Sequence, residues 1–507
     1  MSLIRRRDVL KSAAVLGIGL PALTSARSAE AKEIPELSNA SQLFVDLDRV
    51  ENLENVKHDF HAAEKHPANP VLRKERPWEE FYRVVGSVIF DSDENIFKAW
   101  YLGQGRSTGV NQKGRQTYRH TLCYATSRDG VRWDRPELGL HDFAGSKKNN
   151  IVIPDDYHDG QDHWESVLKD PLDPNPARRY KALGWSSFDP DQSGWCRSRG
   201  SCGIYTMTSP DGLRWTHSPE PAFHFRPRPD SDDLGPFGDA HGMMIDTLRK
   251  RYVAFLRKLP HRAVSVSKDF VNWTQPESCL RARPGEVNNT IYDSTGFVYG
   301  DQYLGYLCYF QRDKRNPLLW VELITSRDGL SWHRVPVKQP LIGMGDVGEF
   351  DRFTNMIIGG PPVRVGDRLY LYYRGTAVRH SPYDGTDDTG MRFPGGMGLA
   401  TLRVDGFASL SASYDGGEVT TKLFRCNGGP LEVNAKADFG RLRAAVLDDN
   451  GKPIPGYIDK ECQVIQQDGI QLSVRWQDHV NLKALTGRPI RLRFHLENAR
   501  LFSYRIG

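Results

Sequence analysis

Apolar and polar residues alternate in short runs along most of the chain, the pattern expected of half-buried β-strands. One such run, "TLCYATS", leads into the turn Asp129-Gly130 and then to a tryptophan. The same arrangement occurs four times, and an Asp-Gly pair is a strong signal for a turn between antiparallel strands. The third copy has Asp269-Phe270 instead, which predicts a weaker turn. The four tryptophans are Trp133, Trp215, Trp273 and Trp332.

A second pattern, a strand followed by a turn and an aromatic-rich strand, recurs five times, as in "GSVIFDSDENIFKAWYLG" and "PPVRVGDRLYLYYRG". Joined to the tryptophan hairpin that follows, each copy predicts a four-stranded antiparallel unit. The fifth copy has no such hairpin, and we expect its outer strands in "GMGLATLRVDGFASLSA". Units of this kind bury their faces against their neighbours. The sequence therefore predicts an all-β chain with a five-bladed β-propeller, and an array of stacked β-sandwiches is the alternative.

The pattern changes after about Ser411, where short strands are separated by "DDNGKP", "QQDG" and "LTGRP" and the tryptophan hairpin does not recur. We predict a propeller catalytic domain over residues 40–410 and a C-terminal β-sandwich over 411–507. A sixth blade is the alternative for the second segment. The tryptophan hairpins are expected at the outer edges of the blades, each indole fastening its turn to its own sheet, with the chemistry at the opposite end.

The N-terminus has the composition of an export signal. Arginines precede a short apolar run over residues 13–23, and small residues follow it. The run is too short to span a bilayer, so residues 1–31 are predicted to be a cleaved signal peptide. "RRDVLK", with Arg6 and Arg7, resembles a twin-arginine signal, and an arginine-rich signal of the general secretory type is the alternative. Either signal predicts a periplasmic or secreted protein.

Charge and cysteine content narrow the range of partners. The formal net charge is +5, and acids and bases are interspersed without a basic stripe, which argues against nucleic-acid binding. After the signal no apolar stretch is long enough to cross a membrane. The seven cysteines show no metal-binding spacing and are predicted to be buried fillers, although Cys196 and Cys202 are close enough in sequence to form a bridge.

The strand–turn–tryptophan units followed by a sandwich resemble the propeller glycoside hydrolases of families 32, 43, 68 and 130. "NPVL" at residues 69–72 resembles the entry to their first blade, and "LKDPLDPNPARRYKALGW" resembles the second-blade Arg-Asp-Pro motif of family 32, with Asp170 as the aspartate and Lys169 in place of the arginine. The first-blade signature of family 32 is absent. The resemblance implies a superfamily that acts on carbohydrate, without a particular substrate.

Glycoside hydrolysis uses two carboxyl groups that flank the scissile bond, one protonated and one ionised. In propeller glycosidases the inner strands deliver such groups to a central funnel, so acids near the start of each inner strand are the candidates. In "HDGQDHWESVLKDP", Glu165 follows Trp164, which offers a stacking face and a dry environment. Asp170 either orients the sugar ring or forms an ordinary Asp-Pro turn.

The other units supply further candidates. Asp239 and His241 in "GPFGDAHGMMID" have the same strand parity, as do Glu349 and Asp351 in "GDVGEFDRFTNMI". Asp293, in "GEVNNTIYDSTG", is the candidate of the fourth unit. We predict Glu165, Asp239 and Glu349 as the catalytic set, and the predicted substrate-binding residues are Trp164, Asp170, His241, Asp293 and Asp351.

The predicted function is that of a secreted glycoside hydrolase acting on an oligo- or polysaccharide. A non-catalytic glycan-binding propeller and a glycoside phosphorylase are the alternatives. His58, Asp59 and His61 lack a neighbouring carboxylate cluster in the sequence, so no metal site is predicted. No cofactor is predicted either, and a structural Ca²⁺ in the funnel would be compatible with this fold class.

Overall fold

A computed structural model describes residues 34–79, 86–110, 116–154, 163–186, 203–224, 241–258, 261–286, 291–313, 317–336, 339–379 and 395–507. Side chains are described throughout except at 104–110, 116–120, 163–165 and 185–186. The described chain contains strands and three short 3-10 helices, Pro77–Glu79, Pro176–Arg178 and Lys483–Leu485, and no α-helix. The predicted all-β class is confirmed. The predicted signal, residues 1–31, lies outside the described ranges.

The first strands of the chain precede the repeated units. Strands β4 and β5 both pair with the last strand of the fifth unit, and β1–β3 pair with strands near the C-terminus. Their bounds are β1 (Gln42–Leu43), β2 (Val50–Glu54), β3 (Lys57–Phe60), β4 (Glu64–Lys65) and β5 (Leu72–Arg73).

Five antiparallel units follow in chain order, and each begins with a short, buried strand. Unit 1 contains β6 (Gly86–Asp91), β7 (Ile96–Val110), β8 (Gln116–Ser127) and β9 (Ile151–Ile153). Unit 2 contains β10 (His163–Lys169), β11 (Tyr180–Ser186), β12 (Gly203–Ser209), β13 (Thr216–His217) and β14 (Phe223–His224). Unit 3 contains β15 (His241–Asp246), β16 (Arg251–Lys258), β17 (His261–Ser267) and β18 (Glu277–Leu280).

Unit 4 contains β19 (Ile291–Tyr299), β20 (Gln302–Gln311), β21 (Leu318–Ser326) and β22 (His333–Arg334). Unit 5 contains β23 (Thr354–Ile357), β24 (Val363–Val365), β25 (Arg368–Thr376) and β26 (Gly395–Arg403), and β4 and β5 complete its outer edge. The predicted stretch thus supplies one of the outer strands, β26, whereas the outermost position is taken by β4 and β5 of the N-terminal segment. Asn69 fixes this junction, because its side chain donates to the carbonyl of Leu399 at 2.9 Å and accepts from its N–H at 2.7 Å. The "NPVL" segment therefore belongs to unit 5 rather than to the entry of unit 1.

The first strands of the units lie side by side around an axis. Each of β6, β10, β15, β19 and β23 contacts the next in that order. Gly359, just after β23, donates its N–H to the carbonyl of Gly86 at 2.6 Å, and Ser87 forms a parallel bridge with Gly359. The first strand of unit 5 is thereby joined to the first strand of unit 1, which is the arrangement that a propeller requires.

The tryptophan hairpins share one turn geometry. In the first copy the Ser127 hydroxyl accepts from the Gly130 N–H at 2.8 Å, and the Asp129 carboxylate accepts from the N–H groups of residues 131 and 132 at 2.8 Å. Equivalent bonds occur in the other three copies. Each turn also contacts the preceding unit; in the first copy the phenol of Tyr372 donates to the Gly130 carbonyl at 2.8 Å. These turns therefore fasten neighbouring units together, in addition to their own sheet.

The C-terminal strands form two facing sheets around a separate apolar core. One sheet has the order β3-β27-β34-β30-β32 with β1 on β34, and the other has β2-β28-β33-β29 with β31 on β33. The sheets thus include residues 42–60, which the predicted domain boundary at residue 40 assigned to the propeller. The strand bounds are β27 (Ala408–Ala412), β28 (Gly417–Thr421), β29 (Phe424–Arg425), β30 (Leu431–Lys436), β31 (Arg441–Leu447), β32 (Asp468–Ser473), β33 (Pro489–Glu497) and β34 (Ala499–Ile506).

Candidate functional site

The tryptophan hairpins distinguish the two ends of the ring. The Arg251 guanidinium hydrogen-bonds both Asp246, at the end of β15, and the carbonyl of Asp328 in a tryptophan hairpin. Arg178, in the turn between β10 and β11, donates to the carbonyl of Asp269 in another hairpin at 2.8 Å. The ends of the first strands and the tryptophan hairpins therefore share one end of the ring. The starts of the first strands lie at the opposite end, where the sequence predicted the chemistry.

Two first strands carry a β-bulge at their starts. In β10 the pairing shifts between Trp164 and Ser166, so Glu165 lies at the bulge. In β19 the pairing shifts between Ile291 and Asp293, so Tyr292 occupies the same position. Bulges re-aim side chains and are common beside active sites. The backbone of Glu165 is therefore placed at an irregular strand start, and its side chain is not described.

Asp293 is a buried carboxylate at the start of a first strand, with only 4% of its surface exposed. The Arg262 guanidinium lies 3.3 Å from its Oδ1, and the Ser294 N–H donates to the same oxygen at 2.7 Å. Arg262 is fully buried and also donates to the Ser294 hydroxyl at 3.0 Å and to the Tyr292 carbonyl at 3.2 Å. An adjacent guanidinium favours the charged form of a carboxylate. This arrangement suits an ionised group that attacks or activates water.

Further cationic groups surround this pair. The Arg257 guanidinium lies over the ring of Tyr292, with 4.5 Å between its central carbon and the ring centroid. Cys308 lies opposite Asp293 in the strand register. Burial, together with the nearby charge of Asp293, raises the pKa of the Cys308 thiol well above its ordinary value, although Arg262 and Arg374 act in the opposite direction. The thiol is therefore neutral, and the charges at the site come from arginine and aspartate.

His241 lies at the start of β15, in line with these groups. It is buried, and its Nε2 lies 3.2 Å from the carbonyl oxygen of Leu183, whose strand partner is Ser166 of β10. The next residue, Gly242, leaves no room for a Cβ, which would lie 2.7 Å from the Ser294 carbonyl. His241 therefore stands between the strand starts that carry Glu165 and Asp293. Asp239 lies outside the described residues, and nothing is described of the Trp164 side chain.

Glu349 and Asp351 differ in their exposure to solvent and in their partners. Glu349 is exposed in the loop before β23, and its N–H donates to the Asp346 carbonyl at 3.1 Å. Asp351 is fully buried, with the Lys65 ammonium 2.6 Å away and the Tyr373 phenol donating at 2.7 Å. Since Lys65 belongs to β4, Asp351 fastens the N-terminal segment to unit 5. The prediction that Asp351 binds substrate is therefore corrected.

Asp170 also has a structural role in place of the predicted substrate contact. Its side chain is fully buried at the end of β10, the same end as the tryptophan hairpins. The Lys181 ammonium lies 3.2 Å away, and the Tyr252 phenol donates at 2.7 Å. The Asp170 carboxylate also accepts from the Leu172 N–H at 2.8 Å, as an aspartate before a turn does. This group joins unit 2 to unit 3.

Sequence reasoning missed Arg262, which holds Asp293. The available signal was a charged residue at the start of the otherwise uncharged strand-like run "RAVSVS", where a buried arginine requires a carboxylate partner. Among the described residues no group of three or more His, Cys, Asp or Glu side chains is placed to share a metal ion. The five cysteines described are all buried and unbridged, as predicted, and Cys196 and Cys202 lie outside the described ranges. The described ranges contain no helix of the length and apolarity needed to cross a bilayer.

No known family profile matches the chain, and no curated protein matches its sequence. Solved structures with similar folds include a glycosyl hydrolase from Bacteroides ovatus, at 14% identity and a TM-score of 0.45, covering 68% of this chain and 94% of the other. Another comes from work on mannoside phosphorylases and hydrolases of family 130 that target β-1,2-mannosidic linkages in Candida mannan, at 16% identity and a TM-score of 0.44, with coverages of 68% and 94%. A β-1,2-mannobiose phosphorylase from Listeria innocua matches at 11% identity and a TM-score of 0.41, with coverages of 68% and 97%.

Similarities at this identity and TM-score do not assign an activity to the chain.

Proposed function

We propose that the protein is a glycan-acting enzyme, a glycoside hydrolase that cleaves an oligo- or polysaccharide with paired carboxylates. The observation that carries the proposal is the buried Asp293–Arg262 pair at the start of a first strand, at the end of the ring opposite to the tryptophan hairpins. An adjacent guanidinium favours the charged form of a carboxylate, the form that hydrolysis requires of the base or nucleophile.

The second carboxyl group is assigned to Glu165 or Asp239. Glu165 occupies the bulge at the start of β10, and Asp239 directly precedes the described part of unit 3, two residues before His241. A general acid must be protonated before it donates to the leaving oxygen, and an apolar neighbour such as Trp164 favours the protonated form. Glu349 is set aside as a catalytic group because it is exposed to solvent.

Phosphorolysis is the second candidate, and it is favoured by a separate observation. Arg257 and Arg262 both project from unit 3 toward Tyr292 and Asp293. Arg262 lies beside the Asp293 carboxylate and Arg257 lies over the neighbouring Tyr292 ring, so two guanidinium groups stand near this strand start. Arginine binds phosphate well because its fork is planar. Phosphate in place of water would then accept the glycosyl group.

The test is incubation of the purified protein with aryl glycosides and with plant, algal and fungal polysaccharides, with and without inorganic phosphate. Release of free sugar without phosphate supports the hydrolase. Release of a sugar phosphate only when phosphate is present supports the phosphorylase. Binding of a glycan with no product after long incubation would overturn both and leave a glycan-binding propeller.

We further propose that the protein works outside the cytoplasm, in the periplasm or secreted. This rests on the N-terminal residues 1–31, with their paired Arg6 and Arg7 and a short apolar run.

A further inference from the structure

A groove opens on the C-terminal sandwich, and the described residues that line it all lie outside the five units. Its volume is about 620 Å³, within the range of ligand-binding clefts. Polar side chains form most of its walls, including Asn55, Ser413 and Asn498, and Phe439 stands among them. Such a lining suits a ligand with many hydroxyl groups more than an apolar one.

Three cations lie in one row across this groove. Lys57 pairs with Ser411, Ser411 pairs with Arg500, and Arg500 pairs with Lys436, on the adjoining strands β3, β27, β34 and β30. Residues paired across antiparallel strands project to the same face, and like charges in direct opposition weaken a sheet. All three side chains are exposed.

Acids lie beside the row, but only Lys436 is in direct ion-pair contact with them. Lys436 has the carboxylates of Asp438 and Asp468 at 3.0 and 3.4 Å. In the part of the chain that the structure describes, no carboxylate lies within ion-pair distance of Lys57 or Arg500. The carboxylate of Asp59 accepts a hydrogen bond from the Ser411 hydroxyl at 2.5 Å, between these two cations in the row. Lys57 and Arg500 are therefore the two exposed cations whose charged ends can contact an external anion.

Arg500 lies one strand separation, about 5 Å, from Lys436 and two strand separations, about 10 Å, from Lys57. A linear array of this kind suits a chain with regularly spaced negative charges better than a single compact anion. Electrostatic attraction of this type weakens with salt because the charges face solvent.

An exposed aromatic ring completes the groove. Phe439 is 78% exposed, an unusual position for so large an apolar side chain. Its turn is fixed, because the Asn498 side chain donates to the Phe439 carbonyl at 2.7 Å. A Cβ at Gly440 would lie 2.1 Å from the Glu497 carbonyl, so the turn packs directly against the β33–β34 connection. A fixed ring beside hydrogen-bonding groups offers a flat apolar face to a sugar.

We propose that this groove binds an acidic polysaccharide, one that carries carboxylate or sulfate groups, with Lys57 and Arg500 holding its charges and Phe439 contacting a sugar face. The choice of polysaccharide over other polyanions rests on the proposed function. The groove would hold the enzyme on its polymeric substrate or on a neighbouring polymer while the repeated units act.

The experiment is affinity gel electrophoresis of the full chain in gels that contain polygalacturonate or dextran sulfate, with neutral dextran as the uncharged control. Wild-type protein should be retarded by at least one of the two acidic polymers, and less so as NaCl is raised. Retardation by neither acidic polymer overturns the proposal. The double variant Lys57→Gln with Arg500→Gln should bind about tenfold more weakly, the scale of two lost surface ion pairs. Phe439→Ala should weaken binding severalfold.

Matched variants distinguish binding in the groove from binding that depends only on the overall positive charge of the protein. Lys460→Gln with Arg475→Gln removes the same two charges at exposed positions outside the groove, and Tyr414→Ala removes an aromatic ring that is 71% exposed. Both should bind as the wild type does. Equal losses in the two double variants, or equal retardation by neutral dextran, would overturn the proposal.

Two further measurements test the choice of polysaccharide and the relation between binding and cleavage. A double-stranded DNA fragment that binds as tightly as the acidic polymers, with the same loss in the Lys57 and Arg500 variant, would overturn the choice of polysaccharide. Glycan cleavage without polysaccharide binding would overturn this inference alone. Polysaccharide binding without any cleavage would leave it standing and would overturn the proposed enzymatic function.

Discussion

The phenol of Tyr252, on the second strand of unit 3, donates a 2.7 Å hydrogen bond to the Asp170 carboxylate at the end of the first strand of unit 2. The contact is repeated around the ring, where a tyrosine of one unit binds the aspartate of the unit before it. The other pairs are Tyr180 with Asp91 at 2.7 Å and Tyr303 with Asp246 at 2.8 Å. Three junctions between units are therefore fastened by the same buried hydrogen bond.

Removing the phenol tests this role. Tyr252→Phe should lower the free energy of unfolding by about 1–3 kcal/mol, because the buried Asp170 loses a donor while the ring remains in place. Urea unfolding measures the change, and Tyr414→Phe, at an exposed position, should have no effect. Turnover per folded molecule should be unchanged. A large loss of turnover with unaltered stability would indicate that Asp170 acts in the active site.

The acid stability of the protein should depend on Asp91. Burial raises the pKa of its carboxyl, but hydrogen bonds from Lys169, Lys98 and Tyr180 outweigh burial and hold the pKa well below its ordinary value. A carboxyl with a lowered folded-state pKa stabilises the protein above its unfolded-state pKa of about 4, and this contribution is lost as pH falls toward the folded value. Asp91→Asn should therefore destabilise strongly at pH 7 and less at pH 3.

Denaturant unfolding at both pH values checks this prediction, with Asp93→Asn as the control. Asp93 shares the Lys169 partner but its side chain is 68% exposed, so its effect should be small at either pH. A destabilisation by Asp91→Asn that does not change between pH 7 and pH 3 would contradict the assignment.

The proposed catalytic carboxylates can be separated from the exposed one. On a confirmed substrate, Asp293→Asn should lower kcat by about 10²–10⁴-fold, because the amide cannot attack or accept a proton. We expect a comparable loss for Glu165→Gln or Asp239→Asn, and near-normal turnover for Glu349→Gln. Steady-state kinetics measure these effects, with circular dichroism to verify the fold. Full activity in Asp293→Asn, or in both Glu165→Gln and Asp239→Asn, would contradict the proposed pair.

The tryptophans of the hairpins should differ in their contribution to stability. Trp332 is only 3% exposed, and its ring packs on Gly296 and Gly305 and lies 5.4 Å from that of Phe255 in unit 3. Trp332→Ala should therefore lower the free energy of unfolding by about 3–5 kcal/mol, as for other large buried rings. Trp133 is half-buried, so Trp133→Ala should cost less. Equal losses at the two positions would show that burial is not the determining factor.

Export can be tested in cells. If the N-terminus is a twin-arginine signal, replacing Arg6→Lys together with Arg7→Lys should leave the precursor in the cytoplasm, as detected by fractionation. Unchanged export of that double variant would indicate the general secretory route instead.

Local patterns predicted the repeated hairpins well because their turns are fixed by neighbours in sequence. The exception is Asp269-Phe270, predicted to be a weaker turn. Phe270 adopts a φ of +64°, close to the +75° of Gly130 and Gly212. Its ring is buried 5.2 Å from that of Tyr252. Tertiary packing thus stabilises a left-handed backbone that the local sequence disfavours, and a single sequence does not display that packing.

Long-range pairing explains the other differences. The position of Asp351 depends on Lys65, and that of Asp293 on Arg262, and neither partner is close to it in sequence. The structure has His241 and Asp293 at the starts of first strands. Parity alone does not distinguish a carboxylate near the axis from one that fastens the outer edge of a unit.

The pairing of β4 and β5 with β26 has a consequence for synthesis. The segment with β1–β5 finds its partners only after more than 300 further residues, since Asn69 binds Leu399 across a separation of 330 positions, and Glu51 binds Arg491 across 440. Contacts between such distant positions form slowly, because the intervening chain must be closed into a loop first. The ring cannot be completed before β26 has been translated, and the sandwich cannot be completed before β34 has been translated. A nascent chain would therefore expose unpaired strand edges throughout its elongation, a period in which binding by chaperones would protect it from aggregation.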